Sequence, residues 1–340
     1  MSKSPMTPKM RLAAAISNQQ PDKIPTFEWF IDSSVGKALI GSDDPVEIVD
    51  VLDIDGINVR ADYSKEYADA DNYTDEWGAS RKLTGDCIAA VMHSPITDIT
   101  AHKDYTFPET QAVHRFDSVE AAVSRFGDKR AVVFNLRDGW SDMRDLLGYE
   151  EAMIQFMLEP EHFSYLLNRV VDYNLELASI AKQRYNLEIV ATTDDIAFAA
   201  GLLLPLPQYL DLIGPSFKRV MQGYKELGYL IVKHCDGNIN DLMEFWIECG
   251  IDCIDPIDPD GGMTLTEVKE RYGNKIAIKG NVDCKGALCS GTPEEVAAEV
   301  KGCIEVAGKS GYVLSSSNTI HRGVKPENYQ AMLDALRKFG

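Results

Sequence analysis

The chain carries little positive charge for its size. Its 340 residues include 34 lysines and arginines against 53 aspartates and glutamates, so the formal net charge at pH 7 is −19. No run of basic residues interrupts this acidic composition. Nucleic acids and anionic membranes attract basic surfaces, so we expect neither as a partner. Small molecules and other proteins are the expected partners.

Long apolar segments and paired cysteine motifs are also missing. Nowhere do eighteen apolar residues run together, so the sequence predicts no membrane-spanning helix. The first five residues lack the apolar core of a secretory signal. The seven cysteines form no C-x-x-C pair and are odd in number, which favours free thiols or metal ligands over disulfides. We therefore predict a cytoplasmic protein.

Three familiar catalytic signatures are absent as well. The sequence contains no glycine-rich phosphate loop, no G-x-S-x-G elbow and no H-E-x-x-H motif. Nucleotide-dependent transfer, serine hydrolysis and zincin-type hydrolysis thereby lose their usual signals.

Short apolar strands alternate regularly with helical patterns along most of the chain. Strands are predicted at residues 26–30, 56–60, 131–136, 188–193, 229–234, 253–255, 276–279 and 312–315. Short apolar strands separated by helices are typical of a parallel α/β sheet that is buried on both faces. About eight of them favour one (β/α)₈ TIM barrel over residues 1–340, preceded by an N-terminal helix at 9–19.

One region breaks this rhythm after the second predicted strand. Residues from about 65 to 116 are rich in Asp, Tyr, Thr and Gly, and their patterns at 76–82 and 87–92 suggest a small hairpin. We predict an insertion over one end of the barrel rather than a separate domain.

Polar side chains are concentrated where the predicted strands end. The carboxyl ends of barrel strands share one face, and that face carries catalysis in TIM-barrel enzymes. The residues are Glu28, Asp62, Asp194, Asp195, His234, Cys235, Asp236, Asp255, Asp258, Asn281, Asp283, Cys284, Ser315, Ser316, Ser317 and Asn318. His, Cys and Asp converging at one end of adjacent strands are the residue types that bind zinc.

Each of these residues also has a purely structural interpretation. Cys284 fits a small buried apolar group, and Asp194 with Asp195 fits a cap for a helix that begins near Ile196. Glu28 fits a solvated strand end. The functional interpretation therefore depends on their convergence rather than on any single residue.

Several motifs in fixed order carry a family resemblance that runs nearly end to end. They are Arg11 with Pro-Asp-Lys-Ile-Pro at 21–25, Thr-Asp-Asp at 193–195 with the following segment 205–215, His-Cys-Asp-Gly-Asn at 234–238, Ile-Lys-Gly-Asn-Val-Asp at 278–283, and the segments 311–317 and 324–328. With these motifs the sequence resembles the uroporphyrinogen decarboxylase superfamily and, within it, the corrinoid-protein-dependent methyltransferases, such as O-demethylases.

The resemblance implies a zinc site that departs from the relatives in detail. In the methanol- and methylamine-type relatives a His-x-Cys pair and a distant Cys hold zinc. Here His234 keeps the first position, Asp236 stands at the second and Asn318 lies near the third. We infer the replacement set His234, Asp236 and Cys284, with Cys235 and Asp194 as alternative ligands.

The leading hypothesis is a methyltransferase that moves a methyl group between a small methylated substrate and a corrinoid carried by a partner protein. A methoxylated aromatic, a methylamine or a thiol would be the substrate, with zinc as Lewis acid. Acidic residues at the site would supply a proton, and the candidates are Asp194, Asp195 and Asp236. The predicted substrate contacts are Glu28, Asp62, Asn281, Ser317 and Asn318.

The alternative enzyme is a cofactor-independent decarboxylase of the uroporphyrinogen type. Asp62 or Asp194 could supply its carboxylate, but a polyacid needs several arginines, and Arg60 alone is near a predicted strand end. Porphyrinogen decarboxylases carry an arginine-bearing segment, Phe-Met-Arg-Gln-Ala-Gly-Arg, where this chain has Thr-Phe-Glu-Trp-Phe at 26–30. A catalytically silent barrel that binds a partner is weaker, because it would have no reason to concentrate ligand types at its strand ends.

Overall fold

Thirteen strands lie in the part of the chain that the structure, a computed structural model, describes: residues 5–84 and 89–340. In chain order they are β1 (Gly56–Arg60), β2 (Lys65–Tyr67), β3 (Asn72–Asp75), β4 (Ser80–Lys82), β5 (Ala90–His93), β6 (Ala131–Leu136), β7 (Ile189–Thr193), β8 (Ala197–Phe198), β9 (Gly201–Leu202), β10 (Leu230–His234), β11 (Cys253–Asp255), β12 (Ala277–Val282) and β13 (Tyr312–Ser316).

The helices of the same residues separate most of these strands. They are α1 (Pro8–Ile16), α2 (Ser33–Ile40), α3 (Pro45–Val51), α4 (Asp117–Phe126), α5 (Trp140–Leu147), α6 (Tyr149–Leu158), α7 (Pro160–Tyr185), α8 (Leu206–Gln208), α9 (Gly214–Glu226), α10 (Met243–Glu248), α11 (Leu265–Tyr272), α12 (Ala287–Ser290), α13 (Pro293–Ala307) and α14 (Pro326–Phe339). A 3₁₀ segment spans Ile99–Asp104, and a π-helical segment spans Tyr209–Ile213.

Seven parallel strands form one curled sheet in the order β1-β6-β7-β10-β11-β12-β13. Each pairs with the next along the chain, for example with His234 of β10 opposite Asp255 of β11. Parallel neighbours need a crossover connection, which the helices between the strands provide. The predicted α/β barrel fold is confirmed, and the predicted bounds of β1, β6 and β11 match the structure.

The predicted first strand, residues 26–30, is not a regular strand. It makes a single parallel bridge, from Thr26 to Leu314 of β13, while the Leu314 amide donates to the Pro25 carbonyl at 3.0 Å. On its other side the Asp55 amide donates to the Thr26 carbonyl at 3.0 Å. Pro25 has no N–H, and the Thr26 N–H is taken by the Asp55 carboxylate at 2.9 Å, so a longer ladder cannot form. Residues 26–30 nevertheless connect the two edges of the sheet, and we call them the closing segment.

Side chains alternate between the barrel interior and the surrounding helices, as the period of a strand requires. In β6, Ala131 and Val133 point inward, whereas Val132 and Phe134 belong to the outer core. The inner core also contains Phe27 and Trp29 of the closing segment. It is covered at the amino ends of the strands by Leu12, Ala15 and Ile16 of α1.

The predicted insertion contains a four-stranded antiparallel sheet in the order β2-β3-β4-β5. The turn between β3 and β4 uses Gly78 at a φ of 82°, which a residue with a side chain rarely adopts. The hairpin predicted from the patterns at 76–82 and 87–92 corresponds to the antiparallel pair β4 and β5; Cys87 and Ile88 lie outside the described residues.

Among the described residues, none of the helices combines the length and apolar character that crossing a bilayer requires.

Arg11 of α1 ties the amino ends of the barrel together. Its guanidinium lies 2.5 Å from Asp55 Oδ1 and 2.7 Å from Asp22 Oδ1, and only 5% of Arg11 is exposed. Since Asp55 also bonds to both backbone groups of Thr26, this ion pair supports the segment that closes the sheet.

We expect Arg11→Ala to lower the free energy of unfolding by about 3–5 kcal/mol, because it leaves the Asp55 carboxylate buried without its cation. Urea unfolding measures the change. Arg125→Ala is the matched control, because Arg125 pairs with Asp50 on the surface, where such pairs contribute at most about 1 kcal/mol. Equal losses in the two variants would contradict the role of Arg11.

Candidate active site

His234 and Asp255 end two neighbouring strands and face each other across them. They are paired in the register of β10 and β11, and both belong to the inward-facing set of residues. His234 Nδ1 lies 2.5 Å from Asp255 Oδ2. The carboxylate can only accept, so Nδ1 carries a proton, and when the ring is neutral its lone pair is on Nε2. Burial would lower the pKa of His234, but the Asp236 and Asp255 carboxylates raise it above the ordinary value.

Asp255 is held ionised by further donors. Lys279 Nζ lies 2.8 Å from Asp255 Oδ1, and the Trp29 indole N–H donates to Oδ2. Burial alone would raise the pKa of Asp255, but the Lys279 ammonium and the His234 ring hold it below the ordinary value. The Trp29 ring stands edge-on against the His234 ring, with 4.7 Å between centroids. These contacts fix the orientation of His234.

Three side chains that offer metal-ligand atoms meet beyond this pair. Asp195, His234 and Asp236 have ligand atoms within 4.8 Å of one another, the one such group of three among the described residues. His234 Nε2 lies 3.4 Å from Asp236 Oδ1, and the Asp236 N–H donates to Asp195 Oδ1 at 3.4 Å. Gly237 permits the turn that follows, because a Cβ there would lie 2.7 Å from the Phe198 backbone.

One oxygen of Asp236 has no hydrogen-bond partner. Oδ2 accepts from Asn318 Nδ2 at 2.6 Å, whereas Oδ1 is buried and unpartnered within the described chain. Burial raises the pKa of Asp236 to about 6, with the Asp195 charge adding to the shift and His234 opposing it. One imidazole nitrogen and two carboxylates suit a divalent metal ion such as zinc, with a position left open. The three residues could therefore hold a metal ion.

The predicted ligand set agrees with this group in two of its three members. His234 and Asp236 are brought together, but Asp195 rather than Cys284 stands beside them. The Cys284 backbone N–H donates to Ser317 Oγ at 3.1 Å, and burial raises the pKa of its thiol to about 11, which disfavours the thiolate that binds metal. Burial also raises the pKa of Cys235, whose thiol contacts the Asp236 carbonyl at 3.2 Å.

Asp194, predicted as a catalytic acid and an alternative ligand, holds the start of α5. Its two carboxylate oxygens accept the N–H groups of Trp140 at 2.5 Å and Ser141 at 2.7 Å. Burial and the neighbouring Asp138 carboxylate raise the pKa of Asp194. It does cap a helix, but that helix is α5 rather than one that begins near Ile196.

Two predicted substrate contacts have structural partners in the protein. Glu28 is buried and accepts from the Ser316 hydroxyl at 2.8 Å and the Ser316 N–H at 3.2 Å. Asp62 accepts from the Ser118 hydroxyl at 2.6 Å and the Ser118 N–H at 2.9 Å, near the start of α4. Their roles in substrate binding stay predictions.

The other three predicted substrate contacts divide between the barrel wall and the metal group. Asn281 Nδ2 donates to the Ile257 carbonyl at 3.1 Å, and Asn281 Oδ1 accepts from the Cys303 thiol at 3.6 Å. Ser317 accepts from the Cys284 backbone, and Asn318 holds Asp236 as described above. Asn318 is thus the one of the three in contact with the candidate ligands.

Sequence reasoning did not assign roles to two buried lysines. Lys279 supports Asp255, and Lys233 lies 2.8 Å from Asp138 Oδ2 inside the barrel wall. The available signal was a lysine in the middle of an apolar strand, since such a charge must find a partner when it is buried.

Comparison with known proteins gives a family match over most of the chain. Residues 82–339 match the family model described as uroporphyrinogen decarboxylase (URO-D). A uroporphyrinogen decarboxylase from Psychromonas ingrahamii is 30% identical over 189 residues, 53% of this chain and 49% of that protein. One from Vesicomyosocius okutanii is 34% identical over 86 residues, 25% of this chain and 24% of that protein. The matched regions thus span a quarter to a half of these relatives.

A solved structure extends the likeness in fold to nearly the whole chain. A methyltransferase from Methanosarcina mazei superimposes with a TM-score of 0.79, covering 98% of this chain and 99% of that one, at 17% sequence identity. At this identity the likeness shows the shared fold.

Glu28 predicts a pH dependence of stability. Burial raises its pKa from 4.5 to about 7, so the folded protein binds this proton more tightly than the unfolded chain. The stability from that proton is fully present below pH 4.5 and is lost as pH rises through 7. The shift corresponds to about 3 kcal/mol. Glutamine does not ionise and can accept the Ser316 bonds, so Glu28→Gln should raise the free energy of unfolding at pH 8 by up to that amount.

Urea unfolding from pH 5 to pH 8 tests this expectation. Glu305→Gln is the control, because Glu305 is an exposed glutamate and its replacement should leave the pH profile unchanged. A Glu28→Gln profile that falls as steeply as the wild-type profile would show that Glu28 does not carry the proton.

Metal content distinguishes the geometric group from the set predicted by sequence. Asp195→Asn and His234→Ala should each weaken zinc binding on the order of 10–100-fold or more, because each removes one of three protein ligands. Cys284→Ser should keep full zinc. Zinc stoichiometry after dialysis and the thermal midpoint are measured on the same preparations.

Two results would contradict this assignment. If Cys284→Ser loses zinc and Asp195→Asn retains it, the third ligand is the Cys284 thiol rather than Asp195. Full zinc with a depressed midpoint in His234→Ala would identify His234 as a structural histidine.

Proposed function

The chain belongs to the uroporphyrinogen decarboxylase family, and on this premise we propose that it is a methyltransferase. It moves a methyl group between a small methylated substrate and a corrinoid carried by a partner protein, with zinc held by Asp195, His234 and Asp236. Methoxylated aromatics, methylamines and thiols are the substrate classes considered. The naming of the Methanosarcina protein as a methyltransferase supports transfer chemistry on this fold.

The observation that carries the proposal is the unpartnered oxygen of Asp236 beside the free nitrogen of His234. A buried polar atom without a partner costs about 1–3 kcal/mol, more when it is charged. A cation between Asp236 Oδ1 and His234 Nε2 would satisfy both atoms, which are 3.4 Å apart without one. Bound zinc would supply a Lewis acid that stabilises the atom losing its methyl group.

The surrounding residues would orient this group. Asp255 holds the proton on His234 Nδ1 and so keeps Nε2 available as a ligand. Asn318 occupies Asp236 Oδ2 and leaves Oδ1 for the cation. Trp29 packs against the imidazole with the two rings nearly perpendicular and 4.7 Å between their centroids. We assign Asp195 and Asp236 to the cation, and Asp194 to the position of α5.

A decarboxylase is the second candidate, and one observation favours it. Arg60, Arg81 and Arg137 line one cavity, whereas the sequence predicted Arg60 alone near a strand end. Arg81 and Arg137 are already paired with aspartates of the protein, which leaves Arg60 and the exposed Lys65 as the lining cations without an ion pair among the described residues. The cavity volume is about 260 Å³, near the lower limit for small-ligand sites. Both facts disfavour a tetrapyrrole polyacid.

Methyl transfer can be measured directly. The zinc-loaded protein is mixed with a reduced corrinoid protein and a panel of methoxylated aromatics, methylamines and methylated thiols, and the absorbance of methyl-cobalt is followed. We expect one class to react, with a loss of at least about 100-fold in His234→Ala and after chelation, because transition-state charge stabilisation is worth several kcal/mol. Cys284→Ser should retain activity.

The same preparations address the decarboxylase. If chelated protein consumes a tetrapyrrole polycarboxylate and none of the panel yields methyl-cobalt, the methyltransferase proposal is rejected in favour of the second candidate.

A further inference from the structure

A second feature of the catalytic face is the cavity between the barrel rim and the inserted antiparallel sheet. Arg60 at the end of β1 and Asn135 in β6 line it from the barrel, and Tyr73, Trp77 and Arg81 line it from the insertion. Its volume of about 260 Å³ suits a small molecule. Asp195, Asp236 and His234 are not among its lining residues.

The three acidic residues of the cavity form ion pairs with two of its arginines. Asp145 Oδ2 lies 2.9 Å from both Arg81 Nη2 and Arg137 Nη1, and Asp75 pairs with Arg81. Asp142 lies 3.1 Å from Arg137. These contacts form a connected network that spans the insertion and the barrel, and it uses two of the three arginines.

Arg60 is the third arginine and has no carboxylate within 4 Å among the described residues. It packs over the Phe30 ring at 4.6 Å. Burial, together with the like charge of Arg137, lowers the pKa of Arg60 to about 10, against the opposing effect of the Asp145, Asp195 and Asp142 charges. A guanidinium that lines a cavity and has no ion pair among the described residues favours an anionic ligand.

Asn135 provides a second donor beside it. Arg60 and Asn135 are partners in the register of β1 and β6, and Asn135 is 5% exposed. Its Nδ2 is buried and has no hydrogen-bond partner in the described part of the chain. A guanidinium and an amide N–H side by side, both lacking acceptors, match the two oxygens of a carboxylate.

We propose that this cavity binds the carboxylate of the methylated substrate, so that the substrate is a small monocarboxylate with an apolar body. That the ligand is the substrate rests on the proposed function. That the ligand carries a carboxylate is inferred from the cavity alone. Of the two lining cations without an ion pair among the described residues, Arg60 stands beside Asn135 and matches one carboxylate, whereas Lys65 is exposed and lies over the Tyr73 ring. Trp77 and Leu136 line the cavity with apolar surface for the remainder of the molecule.

Binding is measured by calorimetry on the full chain, without corrinoid. The probes are 4-methoxybenzoate and its uncharged counterpart methoxybenzene. We expect the wild type to bind the acid at least ten-fold more tightly than the ether. Arg60→Gln should weaken binding of the acid at least ten-fold and leave the ether unchanged, with Arg60→Lys between the two. Asn135→Ala should weaken binding of the acid by a smaller factor than Arg60→Gln does.

Arg125→Gln serves as the control, because it removes a surface arginine of equal charge. Circular dichroism confirms that each variant is folded. Equal affinity of wild type for acid and ether, or an unchanged acid affinity in Arg60→Gln, would overturn the proposal. Tighter binding of methanesulfonate or inorganic phosphate than of the acid would overturn the carboxylate and identify a tetrahedral anion.

The outcome does not depend on methyl transfer. An acid that binds through Arg60 but yields no methyl-cobalt supports the carboxylate site and counts against the methyltransferase. A reacting substrate whose affinity is insensitive to Arg60 does the reverse.

Discussion

The ionised carboxylate of Asp255, buried inside the barrel, is the interaction on which the catalytic face depends. A charge in that position is stable only with several donors, and it receives them from His234 of β10, Lys279 of β12 and Trp29 of the closing segment. Side chains from four elements of the barrel wall, β11 included, therefore meet at one group. The same contacts set the His234 tautomer, so barrel closure and site geometry are not independent.

The barrel could be predicted because its strands are short apolar runs between helices. The bounds of β1 and β6 follow directly from that pattern. The closing segment could not, because its irregularity comes from Asp55, a residue about thirty positions away that takes the Thr26 N–H. Helix α2 also escaped prediction, since its eight residues include a glycine and two serines that give no clear apolar period.

The site was predictable in position but only partly in composition. His234 and Asp236 stand in one short motif, so their proximity follows from the sequence. The choice between Asp195 and Cys284 depends on how two separate loops turn after their strands, which local pattern does not determine. The place of Arg81 in the cavity could not be predicted for a related reason. Arg81 lies in the insertion, and its contact with Asp145 joins residues 64 positions apart in the chain.

The inserted sheet helps to form a cavity whose residues differ from those of the candidate metal-ligand group. The candidate metal-ligand group combines His234 at the end of β10 with residues just after β7 and β10, whereas the cavity takes one wall from the insertion between β1 and α4. Surface excursions tolerate exchange and changes of length far better than barrel strands do. Descendants of such a chain could therefore change the molecules they accept by remodelling a single contiguous segment, while inheriting the reacting groups unaltered.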